Sequence, residues 1–215
     1  MTAKSIQLSQ PTPDQAARFA PLIAELIWAT GPVSYGYQFG DQGLLARIVA
    51  ASWREPDTLF AASAATLATD GDELVGLELG FAGPNFYVFK NNLVGLAGDL
   101  IAQGVVTFAE LEGLAERAEQ ASYLNAHVPD DVYYLHALST PERHRGKGAG
   151  RQLLHAAIGR ARAEGYRELQ LDVLADNPAV GFYQANGLRI LSETRSPELS
   201  REHGFPSEYR MAVTL

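Results

Sequence analysis

A short basic and glycine-rich segment constrains the fold of this chain more than any other part of its sequence. Residues 145–150 read RGKGAG, and they follow an aromatic and apolar run at residues 131–139. An amphipathic stretch, residues 148–164, comes next. A strand, a glycine turn and a helix N-terminus in this order form a typical anion site, because free N–H groups and the positive end of the helix dipole face the turn. The segment therefore predicts an α/β fold with a loop suited to a pyrophosphate.

The spacing of the glycines indicates which kind of phosphate ligand such a loop could bind. The phosphate loop of nucleoside triphosphatases needs G-x-x-x-x-G-K-[ST], which is absent. The dinucleotide pattern G-x-G-x-x-G/A also fails, because from Gly146 it reaches Arg151 and from Gly148 it reaches Leu153. The pattern that is present is R-x-x-G-x-G, with Arg145, Gly148 and Gly150. The alternative to a ligand site is a solvated basic turn with a glycine cap.

A second pattern downstream favours the ligand site. Residues 171–188 read LDVLADNPAVGFYQANGL. Together with the loop, this stretch resembles the acetyl-CoA signature of the GNAT family of N-acetyltransferases, in which a strand of the form L-[DE]-V precedes an Asn, a Tyr about seven residues later, and Gly-Phe. Here Asn177 and Tyr183 are six residues apart, and Leu188 follows Gly187 in place of the usual Phe.

The resemblance implies an α/β fold with a GNAT-like mixed, mostly antiparallel sheet flanked by helices, in the order β-α-α-β-β-(helical insertion)-β-α-β-α-β-β. Residues 131–139 would form its central strand, which splays at its C-terminal end. Residues 31–40, rich in glycine and aromatic side chains, are predicted as a loop between the first two helices, and residues 4–9 as the first strand. We expect the whole chain, residues 1–215, to be a single acetyltransferase domain.

Residues 83–130 have no counterpart in the family pattern, whose members join the same two strands by a much shorter turn. The apolar stretch at residues 91–103 and the capping-box pattern Thr107-x-x-Glu110 predict helices here. We therefore expect a helical insertion. Its apolar residues would either cover the substrate cleft or build a homodimer contact, and the sequence leaves both interpretations open.

The resemblance also implies acetyl-CoA as the co-substrate. In the family, backbone N–H groups of the loop hold the pyrophosphate, and the splayed central strand pairs with pantetheine. The residues at the matching positions of this sequence are Leu138, Ser139, Thr140, Arg145, Gly146, Lys147, Gly148, Ala149, Gly150, Arg151 and Asn177.

Amide formation from a thioester needs a neutral amine, a donor to the developing oxyanion and a proton for the leaving thiolate. By the resemblance, Tyr183 would be the general acid for the sulfur, and a backbone N–H near Leu138 the oxyanion donor. Two residues are candidates for the base: Asp172, at a strand position where some family members carry Glu, and His136. The structural alternatives are a core tyrosine, a strand carboxylate bonded to a neighbouring loop, and an interior histidine.

The acceptor site is expected between the first two helices and near the central strands. Tyr35, Tyr37 and Phe39 are candidate contacts there, and Glu78 is a candidate acidic contact for a cationic amine. The acceptor would be a primary amine of a small molecule, an amino acid derivative or a peptide N-terminus. The alternative function is a non-catalytic CoA-binding module.

The net charge, the apolar runs and the counts of cysteine and histidine limit the partners and the cellular location that this chain is expected to have. A net charge of −8 is unfavourable for binding nucleic acid. No apolar run approaches the roughly 18 residues that cross a bilayer, and no signal pattern opens the chain, so a cytoplasmic protein is expected. With no cysteine, disulfides and thiolate ligands are excluded. The five histidines lack metal-ligand spacing, so no metal is expected.

Overall fold

The computed structural model describes residues 6–215. The first strand, β1, is Gln7–Ser9, so the second half of the predicted strand at residues 4–9 is confirmed. Lys4 and Ser5 lie outside the described residues.

Within residues 6–215, seven strands form one sheet in the order β1-β2-β3-β4-β5-β7-β6. The remaining strands are β2 (Ala65–Asp70), β3 (Glu73–Ala82), β4 (Val132–Ser139), β5 (Glu168–Leu174), β6 (Arg189–Thr194) and β7 (Glu208–Thr214). In the described part of the chain, β4 and β5 are the one parallel pair of neighbours, and the other neighbours are antiparallel. The predicted mixed, mostly antiparallel sheet is thus confirmed.

The helices lie mostly where the pattern of apolar residues places them. They are α1 (Pro13–Trp28), α2 (Pro32–Phe39), α3 (Gln42–Ser52), α4 (Asn85–Gly95), α5 (Ala97–Ala102), α6 (Phe108–Ser122), α7 (Ala149–Ala163), α8 (Ala179–Ala185) and α9 (Pro197–His203). Among residues 6–215, none of these helices is long and apolar enough to span a membrane.

One predicted loop is wrong, because residues 31–40 contain helix α2. Pro32 lies at its first turn, where a missing N–H costs nothing, and Gly40, at φ 78°, ends it. Tyr35 and Phe39, one turn apart, pack edge to face with ring centroids 5.9 Å apart. The glycine content of this segment predicts a loop, but contacts between aromatic side chains stabilise a short helix instead.

The helices cover two faces of the sheet. On one side, called the α1 face, α1 and α3 pack on Leu77 and Leu79 of β3. On the other, called the α7 face, α7 packs on Tyr133 of β4 and on Leu169 and Leu171 of β5. Because side chains alternate along a strand, neighbouring residues serve different faces.

The predicted helical insertion is present as α4, α5 and α6 between β3 and β4. The expected capping box is confirmed at the start of α6, where Thr107 and Glu110 bond reciprocally. Arg117 of α6 donates a hydrogen bond to the carbonyl of Gln38 of α2, at 2.9 Å. The insertion leaves and re-enters the sheet at adjacent points, because the N–H of Gly83 bonds to the carbonyl of Val132 at 2.8 Å. A long segment is therefore accommodated without disturbing the sheet.

The centre of the sheet is split. Strands β4 and β5 pair from Val132↔Glu168 to Tyr134↔Gln170, although β4 continues to Ser139 and β5 to Leu174. The other edge of β4 carries a bulge, since Leu79 faces Ala137 while Gly80 faces Leu135. His136 is the extra residue of this bulge, and a bulge bends its strand and increases its twist. The predicted splay of the central strand is thus observed.

A buried ion pair joins α7 to the sheet. Glu78 of β3 is fully buried, and its two carboxylate oxygens accept hydrogen bonds from Nη2 of Arg160, at 2.9 and 2.7 Å. The same guanidinium contacts the hydroxyl oxygen of Tyr133. Burial raises the pKa of Glu78, and the charge of Arg160 opposes that rise. Arg160 therefore offsets part of the cost of burying this carboxylate.

Replacing Arg160 by methionine is expected to lower the free energy of unfolding by about 2–3 kcal/mol, because a buried carboxylate loses its partner. The loss is below that of a fully buried pair, since the side chain of Arg160 is 32% exposed. Urea denaturation at neutral pH measures it. Arg167→Met is the matched control, because Arg167 and Asp131 form a pair exposed at 64% and 56%, and it should cost under about 1 kcal/mol. Equal losses in the two variants would contradict the expectation.

Candidate active site

A cavity of about 1530 Å³ lies at the split between β4 and β5. It extends from the glycine loop and α8, past the ends of the two strands, to α2 and the insertion. Most of the predicted site residues line it: Tyr35, Phe39, His136, Leu138, Ser139, Thr140, Arg145, Gly146, Gly148, Ala149, Gly150, Arg151, Asp172, Asn177 and Tyr183. Three predicted residues are not among its lining, namely Tyr37, Glu78 and Lys147.

The glycine loop has the geometry of an anion site. Gly146 and Gly148 adopt φ of 76° and 91°, conformations that side chains other than glycine rarely take. Gly148 is the N-cap of α7, and no side chain caps that end, so N–H groups of the first turn have no intrahelical partner. A Cβ on Gly150 would lie 3.3 Å from Oγ1 of Thr140, so the loop approaches β4 closely.

The charges around this loop divide into paired and unpaired groups. Arg143 and His144 both bond to Glu73, at 3.0 Å each, and hold the loop against the sheet. Within residues 6–215, Arg145 and Arg151 form no ion pair, and both line the cavity. Nε of Arg145 donates a hydrogen bond to the carbonyl of Thr140 at 3.3 Å, which holds this side chain beside the loop. Guanidinium groups without an ion-pair partner, beside uncapped helix N–H groups, suit a bound phosphate.

Tyr183 lies on α8, on the α7 face. It is 8% exposed, packs with Leu171 and Val173, and contacts the ring of Phe182 at a centroid distance of 5.4 Å. Its hydroxyl makes no hydrogen bond with any residue of the described chain, yet the side chain lines the cavity. Burial raises the pKa of Tyr183 well above its ordinary value, so the phenol keeps its proton at neutral pH. The group can therefore donate a proton into the cavity.

Asn177 fixes the turn between β5 and α8. Its Oδ1 accepts a hydrogen bond from the N–H of Ala179 at 2.9 Å, which satisfies a donor at the start of α8. Its Nδ2 donates to the carbonyl of Thr30 at 3.3 Å. Asn177 thus joins the turn that positions Tyr183 to the segment between α1 and α2.

Asp172 is committed to an ion pair on the α1 face. Its Oδ1 accepts from Nε of Arg210 at 2.5 Å, and its Oδ2 accepts from Nη2 of Arg210 at 2.8 Å and from the Tyr134 hydroxyl at 2.9 Å. Asp172 and Arg210 are 7% and 4% exposed. Both carboxylate oxygens of Asp172 are therefore engaged by Arg210 and Tyr134, so its evident role is to hold this ion pair.

His136 lines the cavity inside an aromatic cluster. Its ring centroid lies 5.5 Å from that of Phe60, 5.7 Å from Phe81 and 6.3 Å from Phe86. Its Nε2 is buried and has no hydrogen-bond partner within residues 6–215. Burial lowers the pKa of His136 to about 4, so the imidazole is neutral and weakly basic at pH 7.

Glu208 is a candidate that the sequence patterns did not identify. It is the first residue of β7, faces Leu174 of β5 in the register, and lies two residues from Arg210, so the two share the α1 face. Glu208 lines the cavity, and burial, aided by the charge of Asp172, raises its pKa to about 8. No motif contains it, because the pairing of β5 with β7 brings it to the site. The sequence shows only that Glu208 and Arg210 alternate with Tyr209, which places both on one face of a strand.

A family model identifies the family, and solved structures share the fold. The model described as the acetyltransferase (GNAT) family matches residues 50–188, which is more than half of the chain. This chain belongs to the GNAT acetyltransferase family. A search among curated protein sequences gave no match.

Several solved structures resemble this GNAT acetyltransferase over nearly its whole length. An N-acetyltransferase from Staphylococcus aureus Mu50 is 13% identical, covers 96% of this chain and 100% of its own, and has a TM-score of 0.71. A GCN5-related N-acetyltransferase from Kribbella flavida is 19% identical, with 100% of both chains covered and a TM-score of 0.58. A chain of the NatC complex, bound to Gag peptide and CoA, is 12% identical, with 98% and 99% covered and a TM-score of 0.52. At such identities the likeness shows the fold.

As a GNAT family member, the chain is an acyltransferase, and members of this family use acetyl-CoA. The residues present fit that co-substrate. The uncapped end of α7, with Arg145 and Arg151, suits its phosphates. The ends of β4 and β5 that do not pair with each other leave backbone groups open to its amide-containing arm. Residues 6–215 contain no group of three or more His, Asp or Glu side chains placed to hold a metal ion.

The predicted acceptor residues do not all reach the cavity. Tyr35 and Phe39 line it. Tyr37 instead packs edge to face on Phe205, with centroids 5.2 Å apart, and its hydroxyl bonds to Gln120, so it joins α2 to α6 and α9. Glu78 lies on the α7 face, fully buried against Arg160, as described above. These placements argue against acceptor contacts by Tyr37 and Glu78.

Proposed function

We propose that this GNAT acetyltransferase moves the acetyl group of acetyl-CoA directly to a primary amine. One observation carries the proposal: a single cavity passes through the split in the sheet and joins a buried tyrosine to a carboxyl group. Tyr183 lies on the α7 face, while Glu208 lies on the α1 face. A proton donor and a proton acceptor that line one passage can serve the two proton transfers of acyl transfer to an amine, one to the leaving thiolate and one from the amine.

The glycine loop and the splayed strand would hold acetyl-CoA. N–H groups of the first turn of α7, together with Arg145 and Arg151, would bind the phosphates. The unpaired edge of β4 near Leu138 and Ser139 would bind the pantetheine arm. When bound, the co-substrate supplies a thioester carbonyl that is activated toward attack by an amine.

Two side chains and one backbone group divide the chemistry. Glu208, in its ionised form, accepts the proton that the amine must lose, and its pKa of about 8 makes it a stronger base than an ordinary carboxylate. Tyr183 is protonated at neutral pH because its pKa is raised, and it donates its proton to the leaving sulfur. A backbone N–H at the split edge near Leu138 donates to the developing oxyanion. Asp172 holds Arg210 in place and, in this proposal, is a positioning residue.

The test is transfer to a panel of amines. Purified protein with acetyl-CoA should release free thiol only when an amine is present, and mass spectrometry should find one acetyl group on that amine. The panel should contain alkylamines, arylalkylamines, polyamines, amino acid derivatives and peptides, with matched alcohols as controls. Thiol release that leaves every amine unmodified, or transfer to the alcohols alone, would contradict the proposal.

A further inference from the structure

The helical insertion builds an apolar chamber onto the acetyl-transfer site. We infer that this chamber selects a small amine acceptor whose body is a bulky alkyl or aryl group. The inference rests on the proposed transfer to an amine and names the class of amine. We call the chamber the insertion chamber, and define it as the part of the cavity lined by Ile48, Phe60, Phe86, Leu100, Leu111 and Leu114.

The lining of the insertion chamber is apolar and belongs to several elements. Leu100 lies on α5, Leu111 and Leu114 on α6, and Ile48 on α3. Ile48, Phe60 and Leu100 are 4%, 3% and 8% exposed, so they line the deep part of the cavity rather than its rim. Apolar walls at this depth stabilise a ligand by removing its own apolar surface from water.

The polar residues that the insertion contributes lie elsewhere on the cavity wall. Lys90, Glu119 and Asn125 line the cavity but are exposed to solvent, so they belong to its mouth. Ser122 also lines the cavity, and its hydroxyl donates a hydrogen bond to the carbonyl of Glu119 in its own helix. A peptide main chain or a polyamine placed in the insertion chamber would lose water from its polar groups without gaining partners there, which costs roughly 1–3 kcal/mol for each group. The chamber therefore favours a hydrocarbon body over a polypeptide or a polyamine.

The amine end of such an acceptor has a separate place. Glu208 and Asp172 line the same cavity beside the split in the sheet, and both lie on the α1 face with the insertion chamber. An ammonium group can approach Glu208 while its apolar body occupies the chamber. The site thus has a carboxyl group at one end and apolar walls at the other, which match an amine group and an apolar body in the ligand.

The aromatic cluster at His136 adds to this match. Phe60 and Phe86, which line the insertion chamber, lie beside the neutral imidazole of His136, with ring centroids 5.5 and 6.3 Å from it, and all three residues line the cavity. Aromatic faces stabilise an aryl group by edge-to-face contact beyond simple burial. An arylalkylamine thus uses both the cluster and the chamber.

A homologous series of amines tests the inference. With saturating acetyl-CoA, kcat/KM should rise by about fourfold for each methylene from ethylamine to hexylamine, which corresponds to about 0.8 kcal/mol per buried CH₂. 2-Phenylethylamine should exceed ethylamine by a larger factor than any one methylene gives. Spermidine and a tetrapeptide with a free N-terminus should be poor acceptors. A flat series, or preference for spermidine or the tetrapeptide, would overturn the inference while leaving transfer to amines intact.

Two variants locate the effect in the insertion chamber. Ala118→Phe fills the cavity from α6 without removing any packing, and it should reduce the ratio of kcat/KM for hexylamine over ethylamine by about tenfold or more. Ile101→Asn is the control, because Ile101 also lies in the insertion, is 37% exposed and is outside the cavity lining. It should leave the ratio unchanged. Equal ratios in the two variants would overturn the inference.

Binding separates this inference from the proposed function. Calorimetric titration of the CoA-loaded protein with hexylamine and ethylamine measures occupation of the chamber without turnover. If no amine is acetylated but hexylamine binds many times more tightly than ethylamine, the proposed transfer is wrong and the inference about the chamber is supported. If neither amine binds and none is acetylated, both fail.

Discussion

Replacing Tyr183 by phenylalanine is expected to lower kcat by about 10²–10⁴-fold, the range that a general acid usually contributes. The Kd for acetyl-CoA should stay within about twofold of the wild-type value. The substitution removes one oxygen from a buried ring and leaves the packing against Leu171 and Val173 in place. Since the Tyr183 hydroxyl bonds to no residue in the described part of the chain, the thermal midpoint should not change either.

The measurement is steady-state thiol release together with calorimetric binding of acetyl-CoA. Tyr166→Phe is the matched control, because Tyr166 contacts Tyr133 at a centroid distance of 5.9 Å but lies outside the cavity lining. It should keep wild-type kcat. Because burial raises the pKa of Tyr183, the wild type should show no loss of rate from this group up to about pH 10. A Tyr183→Phe enzyme with normal kcat would remove Tyr183 from the mechanism.

The second large effect is expected at Glu208. Glu208→Gln should lower kcat/KM by about 10²-fold or more at pH 9, because the amide cannot accept a proton. The sign of the pH dependence follows from the raised pKa of about 8: below that pH the carboxyl is protonated and inactive as a base, so the wild-type rate should rise through pH 8. In the variant, the rise of the rate near pH 8 should vanish from the pH–rate profile. Only the rise that follows deprotonation of the amine substrate, near about pH 10, should remain.

Stability gives an independent readout for Glu208. A group whose folded pKa is raised contributes stability at low pH that is lost as pH rises through the folded value. The wild type should therefore lose stability between about pH 4.5 and pH 8, and Glu208→Gln should lack this loss. Glu193→Gln, on the exposed strand β6, is the control for both readouts. If Glu208→Gln keeps the rise of the rate near pH 8, that rise belongs to another group.

The sequence predicts the parts of the site that one continuous segment builds. Gly146 and Gly148 need positive φ, and Thr107 with Glu110 forms its capping box within four residues, so local patterns suffice for both. The same holds for Tyr183, which the downstream motif places beside the loop. Such features depend on residues that are close in the sequence, so the sequence predicts their local structure.

Other features depend on the register between strands, which the sequence does not display. Glu78 and Leu79 are adjacent, yet one is buried under α7 and the other under α1, and the bulge at His136 changes this alternation on β4. Glu208 reaches the site only because β7 inserts between β5 and β6. Helix α2 is a related case, since besides the contact between Tyr35 and Phe39 it packs against α3 and α6, and its local sequence does not show these contacts.

The split between β4 and β5 has a consequence for the solubility of the fold. A sheet normally exposes unpaired backbone only at its two outer strands, where it invites pairing with other chains. Here a further stretch of unpaired backbone lies in the middle of the sheet, beyond Tyr134 and Gln170. Residues of the insertion, α2 and α8 line the cavity that contains this backbone, so it lies inside the fold rather than along an outer edge. A strand of another protein would have to enter this cavity to pair with it, and we therefore expect it to be less prone to such pairing than an outer strand.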